Sequence, residues 1–268
     1  MRVAVVQLSS QGDLAANLRR VEQLVGAAAA DGATLVGLPE NFAFLGESEE
    51  DKRKVAEVVP GDGPIVQALA ALARKHRIHL VAGGMPEQSP DPARPFNTSL
   101  LVAPDGSIAA RYRKIHLFDV DLPDGTVLKE SAGSSAGIEP CVAPVGDTLL
   151  GMTVCYDLRF PELFRRLGDS GARIITVPAA FTLTTGKDHW HVLLRARAIE
   201  NQVFVLAPAQ TGRHPRGRQT YGKSLIVDPW GDVLAQCGEG EGYAVARLDF
   251  AYQDRVRASL PCLKHRRL

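Results

Sequence analysis

Short apolar runs alternate with amphipathic stretches along the whole chain. Runs rich in β-branched residues and bounded by turn formers predict strands, whereas apolar positions at helical spacing predict helices. Asp13 fits the N-cap of the first helix, and Gly32 fits its C-terminal stop. Strands are predicted over 2–8, 34–38, 79–82, 97–102, 108–112, 148–154, 173–177, 203–207, 233–236 and 243–248, and helices over 14–30, 64–76, from Pro161 onward, and over 187–201.

The order of these elements predicts an α/β fold with one mixed sheet or two sheets. Turn signals at 104–106 and 228–232 join neighbouring strands as hairpins. Two similar halves, each built from strand–helix–strand units and a hairpin, suggest internal pseudo-symmetry. Since no linker or low-complexity tract interrupts the chain, we expect residues 1–268 to form a single domain.

The composition is that of an ordinary globular protein. Of the 268 residues, 45% are hydrophobic and 23% are charged, which excludes disordered and fibrous classes. The net charge of +1 gives no indication of a nucleic acid or an anionic membrane as partner. No signal-peptide pattern and no apolar run of membrane-spanning length is present, so we expect a cytoplasmic location. The four cysteines form no CxxC pair, which argues against a zinc knuckle, and they are too few for a disulfide scaffold in a chain of this length.

Side chains of complementary chemistry follow three of the predicted strands. Cys155 ends one apolar run, and Glu40 and Lys114 follow two others. The carboxyl ends of strands in an open α/β sheet face the crevice where ligands bind. A lone cysteine after a strand is more often an inert core thiol, and lone charges usually lie on the surface. It is the combination of the three that favours a nucleophile with a general base and a cation.

Several other motifs carry less weight. Residues 133–137 fit GxSxG with Ser135 as nucleophile, but their flanks read as loops instead of the required strand and helix. The glycine-rich run 238–242 links two strands, which favours a wide hairpin loop over a phosphate loop. His189 and His191 are two positions apart on a predicted helix, so they do not share a face that could hold a metal.

His116 is the main competitor for the role of base. It could partner Cys155 as in Cys-His hydrolases. Along an extended segment, Lys114 and His116 would point the same way, so both could reach one cleft. The alternative is that His116 only lines the cleft or supports Lys114.

Arginines near the nucleophile suggest a carboxylated substrate, because a guanidinium can bind a carboxylate through two parallel hydrogen bonds. Arg159, four residues after Cys155, is the first candidate. The basic loop 213–218, with three arginines, is the second. The competing interpretations are that Arg159 pairs with Glu162 and only braces the turn, and that the loop is simply solvated.

The sequence resembles the nitrilase superfamily of carbon-nitrogen hydrolases, and within it the Nit branch. The resemblance spans essentially the whole chain. It rests on LPEN at 38–41, YRKIHLFD at 112–119, VCYDLRFPE at 154–162, LRARAIENQ at 194–202, YGKS at 221–224 and DPWG at 228–231.

The resemblance implies a four-layer α-β-β-α sandwich that assembles into homodimers or larger homo-oligomers. It also implies a catalytic triad of Glu40, Lys114 and Cys155, with Glu130 as a second glutamate beside the lysine. No metal or organic cofactor is implied. We expect substrate contacts from four further residues, Tyr156, Arg159, Phe181 and Thr185.

The implied activity is thiol amidohydrolysis of a small carboxylated amide through a cysteine thioester, with release of ammonia. Within the branch, the nearest resemblance is to the deaminated glutathione amidase group, and it rests on residues 180–182, 185–186, 189–190 and 210–214. An ω-amidase or an N-carbamoyl hydrolase with the same triad stays open, as does a non-catalytic binding module on this fold. A Rossmann nucleotide-binding protein is disfavoured, because the turn after the first strand, 7–12, holds a single glycine.

Overall fold

The computed structural model describes residues 1–121 and 127–267. The first sheet contains β1 Arg2–Leu8, β2 Leu35–Gly37, β3 His79–Glu87, β4 Phe96–Val102, β5 Ile108–Arg113, β12 Ala209–Arg213, β13 Gln219–Tyr221 and β16 Gly242–Arg247. The second sheet contains β8 Cys141–Val145, β9 Thr148–Met152, β10 Ile174–Thr176, β11 Phe204–Ala207, β14 Leu225–Val227 and β15 Val233–Gln236. A two-stranded antiparallel sheet pairs β6 Asp119–Asp121 with β7 Val127–Lys129. The helices are α1 Leu14–Ala30, α2 Pro64–His76, α3 Pro161–Asp169, α4 Leu183–Asn201 and α5 Phe250–Ser259.

Both sheets are mixed, as the sequence predicts. The first has the order β13–β12–β1–β2–β3–β4–β5, and β16 pairs antiparallel with β1. The second has the order β15–β14–β11–β10–β9–β8. In each sheet three consecutive strands run parallel, β1–β2–β3 and β9–β10–β11, and an antiparallel pair follows on one side. The two halves therefore share one topology, which is the pseudo-symmetry expected from the sequence.

The alternation of side chains along the strands creates the layers. Val3 and Val5 of β1 are buried in a cluster with the second sheet, whereas Ala4 and Val6 are buried against α1 and α2. Phe164 of α3 packs on the other face of the second sheet together with α4. The layer order is thus helices, sheet, sheet, helices, and the four-layer α-β-β-α sandwich is confirmed.

Side-chain caps fix where helices begin. Asp13 accepts a hydrogen bond from the backbone N–H of Ala16 at 2.9 Å, so it is the N-cap of α1. Gly32, with φ of +83°, follows the C-terminal end of that helix. Helix α4 begins at residue 183, four residues earlier than predicted, because Thr182 caps it by accepting from the N–H of Thr185.

One prediction about the connections is wrong. Residues 238–242 do not form a hairpin loop, because β15 lies in the second sheet and β16 pairs with β1 in the first. The segment is a crossover between the two sheets. Gln7 holds it by donating to the carbonyls of Gly238 and Gly240. Among the described residues, no helix combines the length and the apolar character needed to cross a bilayer.

Candidate active site

The three predicted strand-end residues lie together in one cleft. Lys114, directly after β5, donates to Oε1 of Glu40 at 3.0 Å and to Oε2 of Glu130 at 2.7 Å. Cys155 lines the same cleft. All four side chains are buried, so the charges interact in a poorly hydrated environment. The cleft therefore combines a thiol, an ammonium and two carboxylates.

The backbone presents Cys155 at a sharp turn between β9 and α3. Its φ is +49°, in the left-handed region that non-glycine residues rarely occupy. Two hydrogen bonds hold this turn: the N–H of Cys155 donates to the carbonyl of Pro178 at 2.8 Å, and the N–H of Val154 donates to the carboxylate of Asp157 at 2.8 Å. Strain maintained by such bonds is typical of functional positions.

Asp157 links this turn to the lysine segment from a fully buried position. Its carboxylate accepts from the hydroxyl of Tyr112 at 2.7 Å and contacts Nδ1 of His116 at 2.7 Å. The ring of His116 also stacks on Phe160, with 3.6 Å between centroids. The ring of His116 thus contacts two residues of the segment that follows the nucleophile.

This placement contradicts two expectations. The side chains of Lys114 and His116 do not point the same way, because β5 ends at residue 113 and the extended conformation is lost there. Within the described parts of the chain, His116 does not line the spaces next to Cys155. The geometry therefore does not support His116 as the partner of Cys155 in a Cys-His pair.

Glu40 is held from several sides. Its Oε2 accepts from the N–H of Ala180 at 3.0 Å, and its Oε1 accepts from Nδ2 of Asn97 at 2.8 Å as well as from Lys114. The side chain of Gln210 donates to the main-chain carbonyl of Glu40 at 2.9 Å. A carboxylate fixed in this way keeps its position relative to the thiol.

Burial and the neighbouring charges set the protonation states. Burial disfavours the charge on Lys114, but Glu130 and Glu40 outweigh it and hold the pKa of the ammonium well above its ordinary value. Burial, reinforced by Glu40, raises the pKa of the Cys155 thiol well above its usual range, against the opposing effect of Lys114. Burial also opposes the charge on Glu130, but Lys114 prevails and lowers the pKa of that carboxyl. At neutral pH the site holds a thiol, an ammonium and an ionised Glu130.

The four residues predicted to contact substrate share one recess beside the thiol. Tyr156, Arg159, Phe181 and Thr185 line a small space that also reaches Cys155. The guanidinium of Arg159 lies over the rings of Tyr156 and Phe181, at 5.9 Å and 5.3 Å from their centroids. It contacts Nδ1 of His189 at 3.3 Å, and among the described residues it has no carboxylate partner. The alternative interpretation, in which Arg159 pairs with Glu162, is therefore not supported.

The basic loop borders a wider outer cleft. Arg216 and Arg218 line it, together with Lys129, whereas Arg213 does not. His214 anchors the base of the loop, because its buried ring contacts the carbonyl of Ser10 and the hydroxyl of Thr220. Two of the three arginines thus line the outer cleft, and Arg218 also lines the cleft that contains Cys155.

The less favoured motifs have other contacts. Ser135 donates to the carbonyl of Arg94 at 2.7 Å and its flanks are loops, as expected. His189 contacts Arg159, whereas His191 contacts Gln236. Within residues 1–121 and 127–267, no group of three or more His, Cys, Asp and Glu side chains is arranged as a metal site.

Sequence reasoning missed Asn97, which donates to Glu40 and Glu130, and Asp157, which accepts from the N–H of Val154 in the turn that carries Cys155. Asn97 lies on β4, where an amide side chain gives no periodic signal. Asp157 is two residues after Cys155, and only its position next to the nucleophile could have drawn attention to it. Their roles depend on contacts with residues distant in the chain.

Comparison with known proteins identifies relatives over the full length of the chain. The carbon-nitrogen hydrolase family profile matches residues 2–258. A deaminated glutathione amidase from Synechocystis sp. PCC 6803 is 44% identical over 266 residues, which cover 98% of this chain and 97% of the relative.

Solved structures agree with this result. The Caenorhabditis elegans NitFhit protein superposes with a TM-score of 0.93 at 42% identity, covering 99% of this chain and 65% of that chain. Saccharomyces cerevisiae Nit3, a member of branch 10 of the nitrilase superfamily, superposes with a TM-score of 0.90 at 36% identity, covering 100% of this chain and 97% of that chain. This chain thus spans about two thirds of the NitFhit protein and nearly all of the other two.

Proposed function

The chain belongs to the carbon-nitrogen hydrolase family and is an amidase, and on this basis we propose that Cys155, Glu40, Lys114 and Glu130 carry out the hydrolysis. The observation that carries the proposal is the contact of one buried ammonium with two carboxylates in the cleft that contains the thiol. A binding module would gain nothing from burying these charges together, because each loses its hydration.

Acylation begins with the protonated thiol. Glu40 accepts the proton of Cys155 as the sulfur attacks the carbonyl carbon of the amide. Lys114 and the backbone N–H of Tyr156 stabilise the negative charge that develops on the carbonyl oxygen. Glu40 then gives the proton to the amide nitrogen, the C–N bond breaks, and an acyl thioester remains on Cys155.

Deacylation reuses the same groups. Once the leaving group has departed, Glu40 accepts a proton from a water molecule that attacks the thioester carbon. The oxyanion again lies near Lys114, and collapse of the intermediate releases a carboxylic acid. The sulfur recovers its proton from Glu40. Glu130 keeps Lys114 charged throughout, since it is the carboxylate that takes no proton in this scheme.

The substrate that we propose is deaminated glutathione, the compound in the names of several relatives. It carries a carboxylate at each end and joins an oxo acid to cysteinylglycine through an amide bond. Cleavage of that bond releases an amine, whereas an ω-amide of the same oxo acid releases ammonia. The two arginine-containing walls, at Arg159 and at Arg216, suit a substrate with two carboxylates.

The test is a hydrolysis assay with matched substrates. Deaminated glutathione, an ω-amide and an N-carbamoyl amino acid are compared, and both amine and ammonia are measured. We expect the highest kcat/KM for deaminated glutathione and an acyl adduct on Cys155 in quenched reactions. Faster turnover of the ω-amide would identify an ω-amidase instead.

Variants of the nucleophile complete the test. Cys155→Ala and Cys155→Ser should lose activity by about a thousandfold or more while remaining folded. Matched variants at Cys141, Cys237 and Cys262 should keep it. Substantial activity without Cys155, or an acyl group on another cysteine, would show that the assignment is wrong.

We further propose that the enzyme works as a cytoplasmic homo-oligomer. All four cysteines are free thiols, which suits a reducing compartment. The outer face of α4 exposes Val192 and Ile199, and the nearby turn exposes Trp230. Apolar side chains grouped in this way are typical of a surface that a second subunit covers.

A further inference from the structure

Asn97 connects the two carboxylates that flank Lys114. Its Nδ2 donates to Oε1 of Glu40 at 2.8 Å and to Oε1 of Glu130 at 3.2 Å. Lys114 contacts the same two side chains from the other side. The four groups thus form a closed ring of hydrogen bonds in which every member is buried.

The orientation of the Asn97 amide is fixed by this ring. The opposite orientation would place Oδ1 against two carboxylates, and the repulsion would exclude it. In the observed orientation Oδ1 is buried and no group among the described residues donates to it, and it lies so close to Gly84 that a Cβ there would be 2.6 Å away. An unpartnered buried carbonyl destabilises a fold. Stability alone therefore gives a weak reason for an amide at this position, whereas its two donated bonds act directly on the site.

The ring keeps the carboxylate of Glu40 in one position while it accepts and donates a proton. Asn97 and Lys114 hold Oε1 of Glu40, and the N–H of Ala180 holds Oε2. Asn97 is neutral, so it brings the two carboxylates together without adding a second cation. Without Asn97, only the ammonium of Lys114 would offset the repulsion between the carboxylates of Glu40 and Glu130.

We propose that Asn97 is a positioning residue for hydrolysis: its amide holds Glu40 and Glu130 around Lys114, so that Glu40 faces Cys155 in the geometry of a base. This inference rests on the function proposed above for Glu40, Lys114 and Cys155. Asn97 touches neither the thiol nor the space where substrate binds, and it acts through the carboxylates.

Removal of the Asn97 amide should change the pH dependence of the reaction. A hydrogen bond donated to a carboxylate stabilises its ionised form, so removing the donor makes protonation easier. The acid limb of the activity profile should then move to higher pH in a variant that lacks the donor. The charged or titratable groups that face this carboxylate are Lys114, Glu130 and Cys155, with Lys52, Lys129 and Arg218 farther along the wall of the cleft.

The test compares Asn97→Leu and Asn97→Asp with a neighbouring control. Asn97→Leu keeps the approximate shape and removes both donated bonds, while Asn97→Asp is isosteric and places a third carboxylate in the ring. The control is Thr98→Val, which removes a buried hydrogen bond of 2.7 Å to Glu87 from the opposite face of the same strand.

For Asn97→Leu we expect kcat to fall by about tenfold or more, with a smaller change in KM. The acid limb of the kcat/KM profile should move up by about one pH unit. Asn97→Asp should lower kcat further, because like charges now meet in the ring. Thr98→Val should lower the unfolding temperature and leave the acid limb in place.

Two results would overturn the proposal. One is an acid limb in Asn97→Leu at the same pH as in the wild type, whatever the value of kcat. Such a result would mean that the substitution has only a structural effect, because loss of a positioning residue should also change how easily the base is protonated. The other is a change confined to KM. If Asn97→Leu does not fold, the isosteric Asn97→Asp carries the same test. An active Cys155→Ala enzyme would contradict the proposed function itself, so the two failures are distinguishable.

Discussion

The reactivity of Cys155 is set by its surroundings. Burial and Glu40 raise the pKa of its thiol, so the group is protonated at neutral pH. Many catalytic cysteines are instead thiolates beside a cation. Lys114 is such a cation, but it is already shared by Glu40 and Glu130. In the proposed mechanism, attack on the substrate must therefore be coupled to proton transfer to Glu40, which makes this carboxylate as necessary as the sulfur.

That coupling predicts a clear order of losses among single variants. Lys114→Ala and Glu40→Gln should each lower kcat by about a hundredfold or more, because one removes the oxyanion donor and the other removes the base. His116→Ala should lose less than about tenfold, since its ring contacts Asp157 behind the turn and carries no proton in the reaction. Steady-state kinetics on the three folded variants checks this. A dead His116→Ala beside an active Glu40→Gln would restore the Cys-His alternative.

Arg159 is the residue on which carboxylate recognition depends most. Its guanidinium lies in the recess beside Cys155, and no carboxylate among the described residues neutralises it. Arg159→Ala should reduce kcat/KM by about tenfold or more for an amide with a carboxylate near the reacting carbon, and much less for a matched neutral amide.

The control for that experiment is Arg166→Ala. Arg166 lies on α3, is exposed and does not line the recess. Its replacement by alanine therefore removes one positive charge from a position outside the recess. It should affect neither substrate. An equal loss for both amides in Arg159→Ala would leave Arg159 as a brace of the turn.

At the residue scale, chemistry that follows strand ends could be predicted, whereas contacts between distant segments could not. Glu40, Lys114 and Cys155 were predicted from their positions after apolar runs, reinforced by the family motifs around them. The two carboxylates reach Asn97 across 57 and 33 positions of sequence. No local pattern records such a contact, because it is created when β4 takes its place in the sheet.

At the scale of elements, a buried carboxylate determines how α2 begins. The two oxygens of Glu57 accept from the N–H groups of Ile65 and Val66 at 2.7 and 3.0 Å. These donors have no partner inside the helix, and the helix dipole favours a negative group there. Gly63 makes the approach possible, because a Cβ at that position would lie 2.3 Å from the Glu57 carboxyl carbon.

Glu57→Ala should therefore lower the free energy of unfolding by about 2 kcal/mol. Glu22→Ala is the matched control, because it removes an exposed carboxylate that pairs with Lys75 on the surface and should cost less than about 0.5 kcal/mol. Equilibrium unfolding in urea measures both. Equal effects of the two changes would show that the cap contributes nothing beyond an ordinary surface charge.

The bounds of elements were predictable where the signals are local. Helices α1 and α2 begin and end at the predicted residues, since caps and helical spacing act within a few positions. The crossover at 238–242 was mistaken for a hairpin loop because strands next to each other in sequence usually pair. Here the pairing partner of β16 is β1, at the opposite end of the chain.

For the whole molecule, the active site requires both sheets. Glu40 follows β2 and Lys114 follows β5 in the first sheet, whereas Cys155 follows β9 in the second. Each half of the chain has the same order of parallel strands followed by an antiparallel pair. Neither half holds all of the reacting groups, so relative sliding of the sheets would separate the thiol from its base. The tightly packed apolar layer between them prevents this.

The outer face of α4 is the surface through which two copies are expected to associate. Val192 and Ile199 are 67% and 44% exposed, and their spacing of seven residues puts them on one side of the helix. Trp230, on the turn that packs beside Ile199, is 53% exposed. Covering this patch removes apolar surface from water, which is the main driving force for subunit association.

Light scattering on the purified chain should therefore give the mass of a dimer or a larger assembly, and Val192→Glu combined with Ile199→Glu should shift it towards the monomer. Ile138→Glu is the control, because Ile138 is 82% exposed and lies outside α4, so it should leave the mass unchanged. A monomeric wild-type chain, or a double variant with the wild-type mass, would rule out this face as the interface. Because α4 also carries Thr185 and His189 next to the recess, dissociation through this face should lower kcat/KM as well as the mass.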